Sequence, residues 1–241
     1  KRKTLEITQL QQLERYRREF LGNVSHELKT PIFNIQGYVL TLLDGGIDDK
    51  SINRLYLERT EKSINRLISI VNDLESISRL ESGELKLTLA KYNIIKLFEE
   101  SFEIHDMMAS ERNIKLKFTR KFDKNIMVMA DREKILEAIN NLIANSIKYG
   151  KEEGTTSVNF IDITESIMIE ITDDGIGIRE EDIPRIFERF YRVDKSRSRE
   201  MGGTGLGLAI VKHIIEAHEQ TINVRSKPGE GTTFTFTLSK A

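Results

Sequence analysis

Between Leu21 and Leu42 the apolar residues fall in steps of three and four: Leu21, Val24, Leu28, Ile32, Ile35, Val39 and Leu42. An α-helix brings such positions onto one face, so this segment predicts a helix with one buried stripe. "LDGGIDDKS", Leu43 to Ser51, breaks the pattern with a glycine pair and offers Asp and Ser as a new helix start. A second stripe follows through Ile64, Leu67, Val71 and Leu74, widened by Ile68 and Ile77, and "RLESGEL" ends it at Gly83. The prediction is an antiparallel helical hairpin. A lone hairpin lacks the core for independent stability. Pairing two of them into a four-helix bundle supplies it, so a homodimer is expected.

Beyond Gly83 the texture changes. The β-type runs "KLKFT" (115–119), "IMIEIT" (167–172) and "TTFTFTL" (232–238) alternate with helical stretches at Asn93–Glu111, Arg132–Tyr149 and Leu206–Ala217. "DKNIMVMAD" (123–131) reads as a strand feeding the middle helix, with Asp131 as its N-cap. This half is α+β. With the boundary near Ser82–Leu89, the 241 residues divide into a hairpin over 1–83, whose first 20 residues are a helical lead-in, and a second domain over 88–241.

The chain has no cysteine, which removes disulfides, thiolate metal sites and cysteine nucleophiles. A net charge of −1 gives no overall basic field for nucleic acid or anionic lipid, so any anion must be held by a local site. No window approaches the length of apolar sequence that a membrane span needs.

Inside the first helix stands "SHELKTP", Ser25 to Pro31. His26 lies between Val24 and Leu28 at a spacing that turns it away from the stripe, toward solvent. An exposed helix histidine usually has no task, but three neighbours argue otherwise here. Thr30, at i+4, shares its face. Glu27 can reach the imidazole edge, keeping one ring nitrogen protonated and the other available as a nucleophile. Pro31 removes a helix hydrogen bond and crowds the Glu27 carbonyl, which predicts a bend within one turn of the histidine.

The second half offers an electrophile. "TDDGIGI" (172–178) follows a strand, with Gly175 and Gly177 permitting close ligand approach and Asp173 able to accept from the exocyclic amine of adenine; a plain hairpin turn is the alternative. "GGTGLGL" (202–208) opens a helix, where backbone N–H groups and the positive dipole end suit phosphate. It is not a P-loop, having no Gly-Lys-Ser/Thr, and it comes too late in the chain for a Rossmann fingerprint. "NNLIANSIKYG" (140–150) sets Asn141, Asn145 and Lys148 near one helix face opposite Ile139, Leu142, Ile143 and Ile147. Carboxamide oxygens together with phosphate and water suit Mg²⁺, although a solvated polar face is the simpler alternative. "IFERFYRVDKSRSREMGG" (186–203) joins aromatic anchors to the cations Lys195, Arg197 and Arg199, as a lid over a nucleotide would.

Taken in order, these segments resemble the catalytic region of two-component sensor histidine kinases over essentially the whole chain. "SHELKTP" resembles the phosphoacceptor box, "NLIANSIKYG" the N box, "DDGIG" the first glycine box, "FERFYR" the phenylalanine box and "GGTGLGL" the second glycine box. The pattern is most similar to phosphate-sensing or cell-wall-sensing kinases. The resemblance implies a dimerisation and phosphotransfer hairpin followed by a Bergerat-type ATP-binding domain, an α/β sandwich with a mixed sheet. It implies His26 as phosphoacceptor, Glu27 as acid/base partner and Thr30 as the residue that orients water in a regulator-phosphatase reaction. Asn141, with Asn145, would hold Mg²⁺, while Asn145, Lys148 and Tyr149 would contact phosphates. Asp173 would take the adenine amine, flanked by Gly175, Gly177 and Ile178. Phe187, Phe190 and Arg192, and the loop Gly203, Thr204, Gly205, Leu206, Gly207 and Leu208, would complete the ATP site.

The implied partners are a second copy of the chain and a separate response regulator. A membrane-anchored sensor is expected ahead of Lys1, with Leu10 and Leu13 continuing a coiled coil, so that this portion would be cytoplasmic. One departure is visible: "HEQ" (218–220) stands where the family commonly has His-Gly-Gly. Two rivals remain, an ATP-hydrolysing switch of the same fold and a dimeric interaction module with a vestigial site.

Overall fold

The computed structural model describes residues 2–81, 86–122, 125–193 and 203–241. It forms two compact units, Lys1–Glu75 and Ser76–Ala241.

The first unit is the hairpin. Helix α1 spans Arg2–Thr41 and continues through Pro31. It ends in a wide turn at Leu42–Gly46, where Asp44 and Gly45 leave the helical region and Gly45 takes φ +95°. Asp49 then accepts from both the N–H and the hydroxyl of Ser51, at 2.8 and 2.6 Å, and Asn53 donates to the Ile47 carbonyl at 3.1 Å. With the loop pinned, α2 runs from Asn53 to Glu81. Gly83 lies outside the described residues. Both stripes are present but only partly buried: Leu42 and Ile77 are 6% and 1% exposed, whereas Leu21 is 56% exposed, Ile32 48%, Ile64 42% and Val71 50%. One hairpin simply has no surface with which to cover them.

The second unit is a two-layer α/β domain. Its sheet has the order β2-β4-β5-β7-β6, formed by Lys115–Phe118, Thr155–Ile163, Ser166–Asp173, Gly231–Ser239 and Ile222–Lys227. The β2–β4 pair is parallel and the other pairs are antiparallel, so the sheet is mixed. A separate ribbon pairs β1 (Leu89–Asn93) with β3 (Met127–Asp131). Along β5 and β7 buried residues alternate with half-exposed ones, the mark of a sheet packed on one face. Helices α3 (Ile94–Ser110), α4 (Arg132–Tyr149) and α5 (Gly207–Ala217) supply the other layer. The core includes Phe98, Ile139, Leu142, Ile143, Ile147, Phe160, Ile169, Ile210, Ile214 and Phe236, each no more than 2% exposed.

Two caps fix the elements that matter for the site. Asp131 accepts from the Lys134 N–H at 3.1 Å, capping α4, and from the Thr88 N–H at 2.8 Å. At the end of α5, Glu219 N–H donates to the Glu216 carbonyl and Gln220 N–H to the Ile215 carbonyl, at 2.9 and 3.1 Å. This reverse turn needs a left-handed residue, and Glu219 takes φ +58°. The departure from His-Gly-Gly therefore forces a side chain into a glycine conformation, while His218 still accepts from the Asp131 N–H at 3.0 Å. Glu219→Gly should raise stability by about 1 kcal/mol, since a left-handed non-glycine residue costs about that much. Urea denaturation would show this as a higher midpoint at unchanged slope.

Candidate active site

On the hairpin, His26 is exposed on α1, as its phase in the stripe predicts. The Thr30 hydroxyl donates back to the His26 carbonyl at 3.3 Å, so the two residues share one face a turn apart. Glu27 points elsewhere than at water alone. Its carboxylate accepts from Arg66 on α2 at 3.1 Å, and the two side chains are only 12% and 18% exposed. This ion pair ties the two helices together beside the histidine. Sequence reasoning missed Arg66, because no local spacing links residues 39 apart.

In the second unit, α4 carries Asn141, Asn145, Lys148 and Tyr149 on a half-exposed face, with Ile139, Leu142, Ile143 and Ile147 buried behind. The Asn141 amide donates to the Glu137 carbonyl at 3.0 Å. That bond directs the carboxamide oxygen toward Gly207, where an added Cβ would lie 2.5 Å from it. The N box and the first residue of α5 are thus in close contact, and glycine makes the approach possible.

Asp173 ends β5, 7% exposed. Burial pushes its carboxyl up to about 6, even though the Gly175 and Thr232 backbone amides favour the ionised form and so pull the other way; nearby Asp174 adds to the rise. Gly175 N–H donates to the carboxylate at 2.9 Å. The turn that follows is seated on two sides. Ile176 N–H donates to the Tyr149 carbonyl at 3.1 Å, and Gly229 N–H to the Ile176 carbonyl at 2.8 Å. Gly177, at φ +70°, passes so close to Lys227 that a Cβ would fall 2.1 Å from its carbonyl oxygen. Ile178 N–H donates to the Ser226 hydroxyl at 2.8 Å.

The aromatic segment is anchored by its own network. Asp182, buried, accepts from the Tyr191 hydroxyl and from Arg179, and those bonds hold it below the usual carboxylate range. Arg185 lies over the Tyr191 ring at 4.3 Å, and Phe187 meets Phe234 edge-on at 6.4 Å. Phe190 N–H then donates to the Gly205 carbonyl at 2.8 Å. Gly205, at φ +77°, lies against the Phe190 backbone and the Arg192 guanidinium. Thr204 is buried and its hydroxyl accepts from the Leu206 N–H at 3.2 Å, which shapes the loop from Gly203 into Gly207 and Leu208 at the start of α5. The basic residues Lys195, Arg197 and Arg199 lie outside the described residues.

Residues 16–83 match the His kinase A (phospho-acceptor) domain, and residues 130–241 match the histidine kinase-, DNA gyrase B- and HSP90-like ATPase domain. The sensor histidine kinase WalK of Bacillus subtilis is 36% identical over 97% of this chain. The chain belongs to the sensor histidine kinases. It spans 38% of the length of that relative. Among solved structures, the Acinetobacter baumannii histidine kinase AdeS is 25% identical with a TM-score of 0.73, over 89% of this chain and 98% of that one. A complex of the histidine kinase ThkA with the response regulator TrrA shares the fold at 23% identity, with a TM-score of 0.73 over 98% of this chain and 67% of that one.

For a kinase of this family Mg²⁺ is the implied metal, and the donor set fits it in one respect. No group of three or more His, Cys, Asp or Glu residues among those described could hold a metal ion. The cradle between the Asn141 oxygen and Gly207 instead offers a single neutral oxygen, suited to an ion that keeps its water and phosphate ligands. Asn145 lies one turn further along the same face.

Sequence reasoning also missed Arg112. Its guanidinium donates to the carbonyls of Ile147, of Lys148 at 2.7 Å and of Gly150 at 3.0 Å, gripping the end of the N-box helix. An arginine in a polar turn before a strand carries no signal that would have revealed this.

Proposed function

We propose that this core transfers the γ-phosphoryl group of ATP to His26 and then to an aspartate of a separate response regulator. What carries the reading is convergence. Asn141 meets Gly207, Gly205 meets Phe190 and Arg192, and Tyr149 meets the Asp173–Ile178 turn, while the same chain presents an exposed histidine flanked by Glu27 and Thr30. In the transfer, a new N–P bond forms at the imidazole as the bond to the ADP oxygen breaks, and ADP departs.

Within this reading Asp173 accepts from the adenine amine, and Gly175, Gly177 and Ile178 let the base approach the backbone. Lys148, Tyr149, Arg192 and the loop from Gly203 to Leu208 hold the phosphates, with Phe187 and Phe190 as anchors. Asn141 and Asn145 are the Mg²⁺ ligands; that ion offsets phosphate charge when bound. Glu27 keeps the imidazole in its nucleophilic tautomer, and Thr30 orients water in dephosphorylation of the regulator. Because the histidine and the nucleotide residues belong to different units, the ATP domain has to reach His26 for transfer and leave it for the regulator, with Pro31 absorbing part of the change; in the other expected hinge, Ser82–Leu89, residues 82–85 lie outside the described residues.

The uncovered stripes of the hairpin support a homodimer, since pairing would remove Leu21, Ile32, Ile64 and Val71 from water. The regulator is proposed from the family and from the ThkA–TrrA complex. A membrane-anchored sensor is proposed to precede the core, leaving this portion cytoplasmic; among the described residues no helix is long and apolar enough to cross a membrane. Incubation with γ-labelled ATP and Mg²⁺ should give acid-labile, base-stable label on the protein that chases to a cognate regulator. Phosphate release without protein-bound label would instead favour the ATP-hydrolysing switch.

A further inference from the structure

The last four carbonyls of an α-helix have no donor within the helix, and their partners decide how rigidly the end is held. In α4 the Ser146 carbonyl takes the Gly150 N–H at 2.9 Å, and there the backbone's own contribution stops. The carbonyls of Ile147, Lys148 and Gly150 all accept from one side chain, Arg112. Tyr149 alone faces the other way, accepting from Ile176 N–H of the glycine turn at 3.1 Å. That contact has no slack, because a Cβ on Gly175 would fall 2.2 Å from the Tyr149 oxygen.

We propose that Arg112 is a positioning residue for the nucleotide site. Its planar fork sets the rotation of the peptide groups on either side of Tyr149, and so fixes the carbonyl on which the Asp173–Ile178 turn rests. Lys148 and Tyr149, at the same helix end, are held in the same grip. Arg112 is itself firmly placed: its N–H donates to the Ala109 carbonyl at 3.1 Å, and its carbonyl accepts from Glu153 N–H at 3.1 Å. The guanidinium also sets a positive charge against the negative end of the helix dipole. The proposal rests on the nucleotide reading above and adds a residue to it that does not touch the ligand.

Two variants separate the fork from the charge. Arg112→Met loses both, whereas Arg112→Lys keeps the charge and can reach one carbonyl at a time. Autophosphorylation and binding of a fluorescent ATP analogue are measured on the full chain, at a temperature where circular dichroism shows each variant folded. Arg112→Met is expected to raise KM for ATP about tenfold and leave kcat within about twofold, with Arg112→Lys in between. Amide exchange at Ile176 should quicken in the nucleotide-free variants. Arg225→Met, which removes an exposed ion pair to Glu170 at 3.1 Å, should leave KM unchanged.

Equal KM in wild type and the folded variants overturns the proposal. So does a loss of activity that only tracks the unfolded fraction while the folded fraction binds nucleotide normally. If Arg112→Met does not fold, the Lys variant decides between these outcomes. Absence of nucleotide binding by the wild type is a different result, which overturns the nucleotide reading and the role of Arg112 together.

Discussion

Asp173→Asn is expected to make the nucleotide-free protein more stable than wild type at pH 8 while strongly weakening ATP binding. The two effects share one cause. Burial raises the Asp173 carboxyl from 3.8 to about 6 in the fold, so ionising it there costs more than in the unfolded chain. The sign follows from linkage. Well below 3.8 the group is protonated in both states and carries no penalty; between 3.8 and about 6 the unfolded chain releases the proton while the fold keeps it, so stability falls as pH rises, and the loss is complete above that range. A shift of about two units corresponds to roughly 3 kcal/mol at most. Asparagine removes the charge yet can still accept from Gly175 N–H, so the turn survives. Its amide, however, presents a donor to the adenine amine, which is also a donor. Nucleotide affinity should fall by roughly 100-fold or more, because a buried polar pair is left mismatched. Thermal melting of the two proteins from pH 4 to 8 should converge at the acid end and separate at the alkaline end. A variant no more stable than wild type at pH 8, or one that binds ATP normally, refutes the argument.

Such an acidic group held at a cost to stability is what sequence reasoning detects least directly. The "DDGIG" segment was legible because glycines at a strand end have few purposes, and of its two aspartates the sequence reading singled out Asp173, though nothing local to it showed which one is buried. The structure divides them. Asp173 is 7% exposed at the end of β5, whereas Asp174 accepts from the Thr155 N–H at 3.1 and 3.0 Å and so holds the start of β4.

Periodicity explains what else was readable. The helix predicted over Arg132–Tyr149 has those bounds, and the runs at 115–119, 167–172 and 232–238 became β2, β5 and β7 with ends shifted by no more than one residue. Strands β1, β4 and β6 were not predicted. In β6, "INVRSK" alternates only half-buried with exposed positions, since it lies at the edge of the sheet. The hairpin stripes are buried only in part, at Leu42 and Ile77 but not at Leu21, Ile32, Ile64 or Val71, because covering a whole stripe requires a surface that a single hairpin does not have. Arg66 and Arg112 were illegible for a different reason. Each acts through contacts more than 30 residues away, and an arginine in a helix or turn looks the same whether it is solvated or clasping a backbone.

His26→Ala is expected to remove all acid-labile label while leaving ATP binding and the melting temperature unchanged. The first half follows from the proposed chemistry, in which the imidazole is the sole acceptor and nothing substitutes for its nucleophilic nitrogen. The second follows from position: the side chain is exposed on α1, and alanine is the better helix former. Glu27→Gln should behave differently. It breaks the ion pair with Arg66, whose side chain is only 18% exposed, so it should slow labelling and also destabilise the hairpin by about 2 kcal/mol. Arg66→Met separates those contributions, because it disturbs the same pair while leaving the carboxylate beside the histidine. If Glu27 acts on the imidazole, labelling at equal folded fraction should fall further in Glu27→Gln than in Arg66→Met. Equal rates would make Glu27 a structural tie between α1 and α2, and label persisting in His26→Ala would move the phosphoacceptor to another residue.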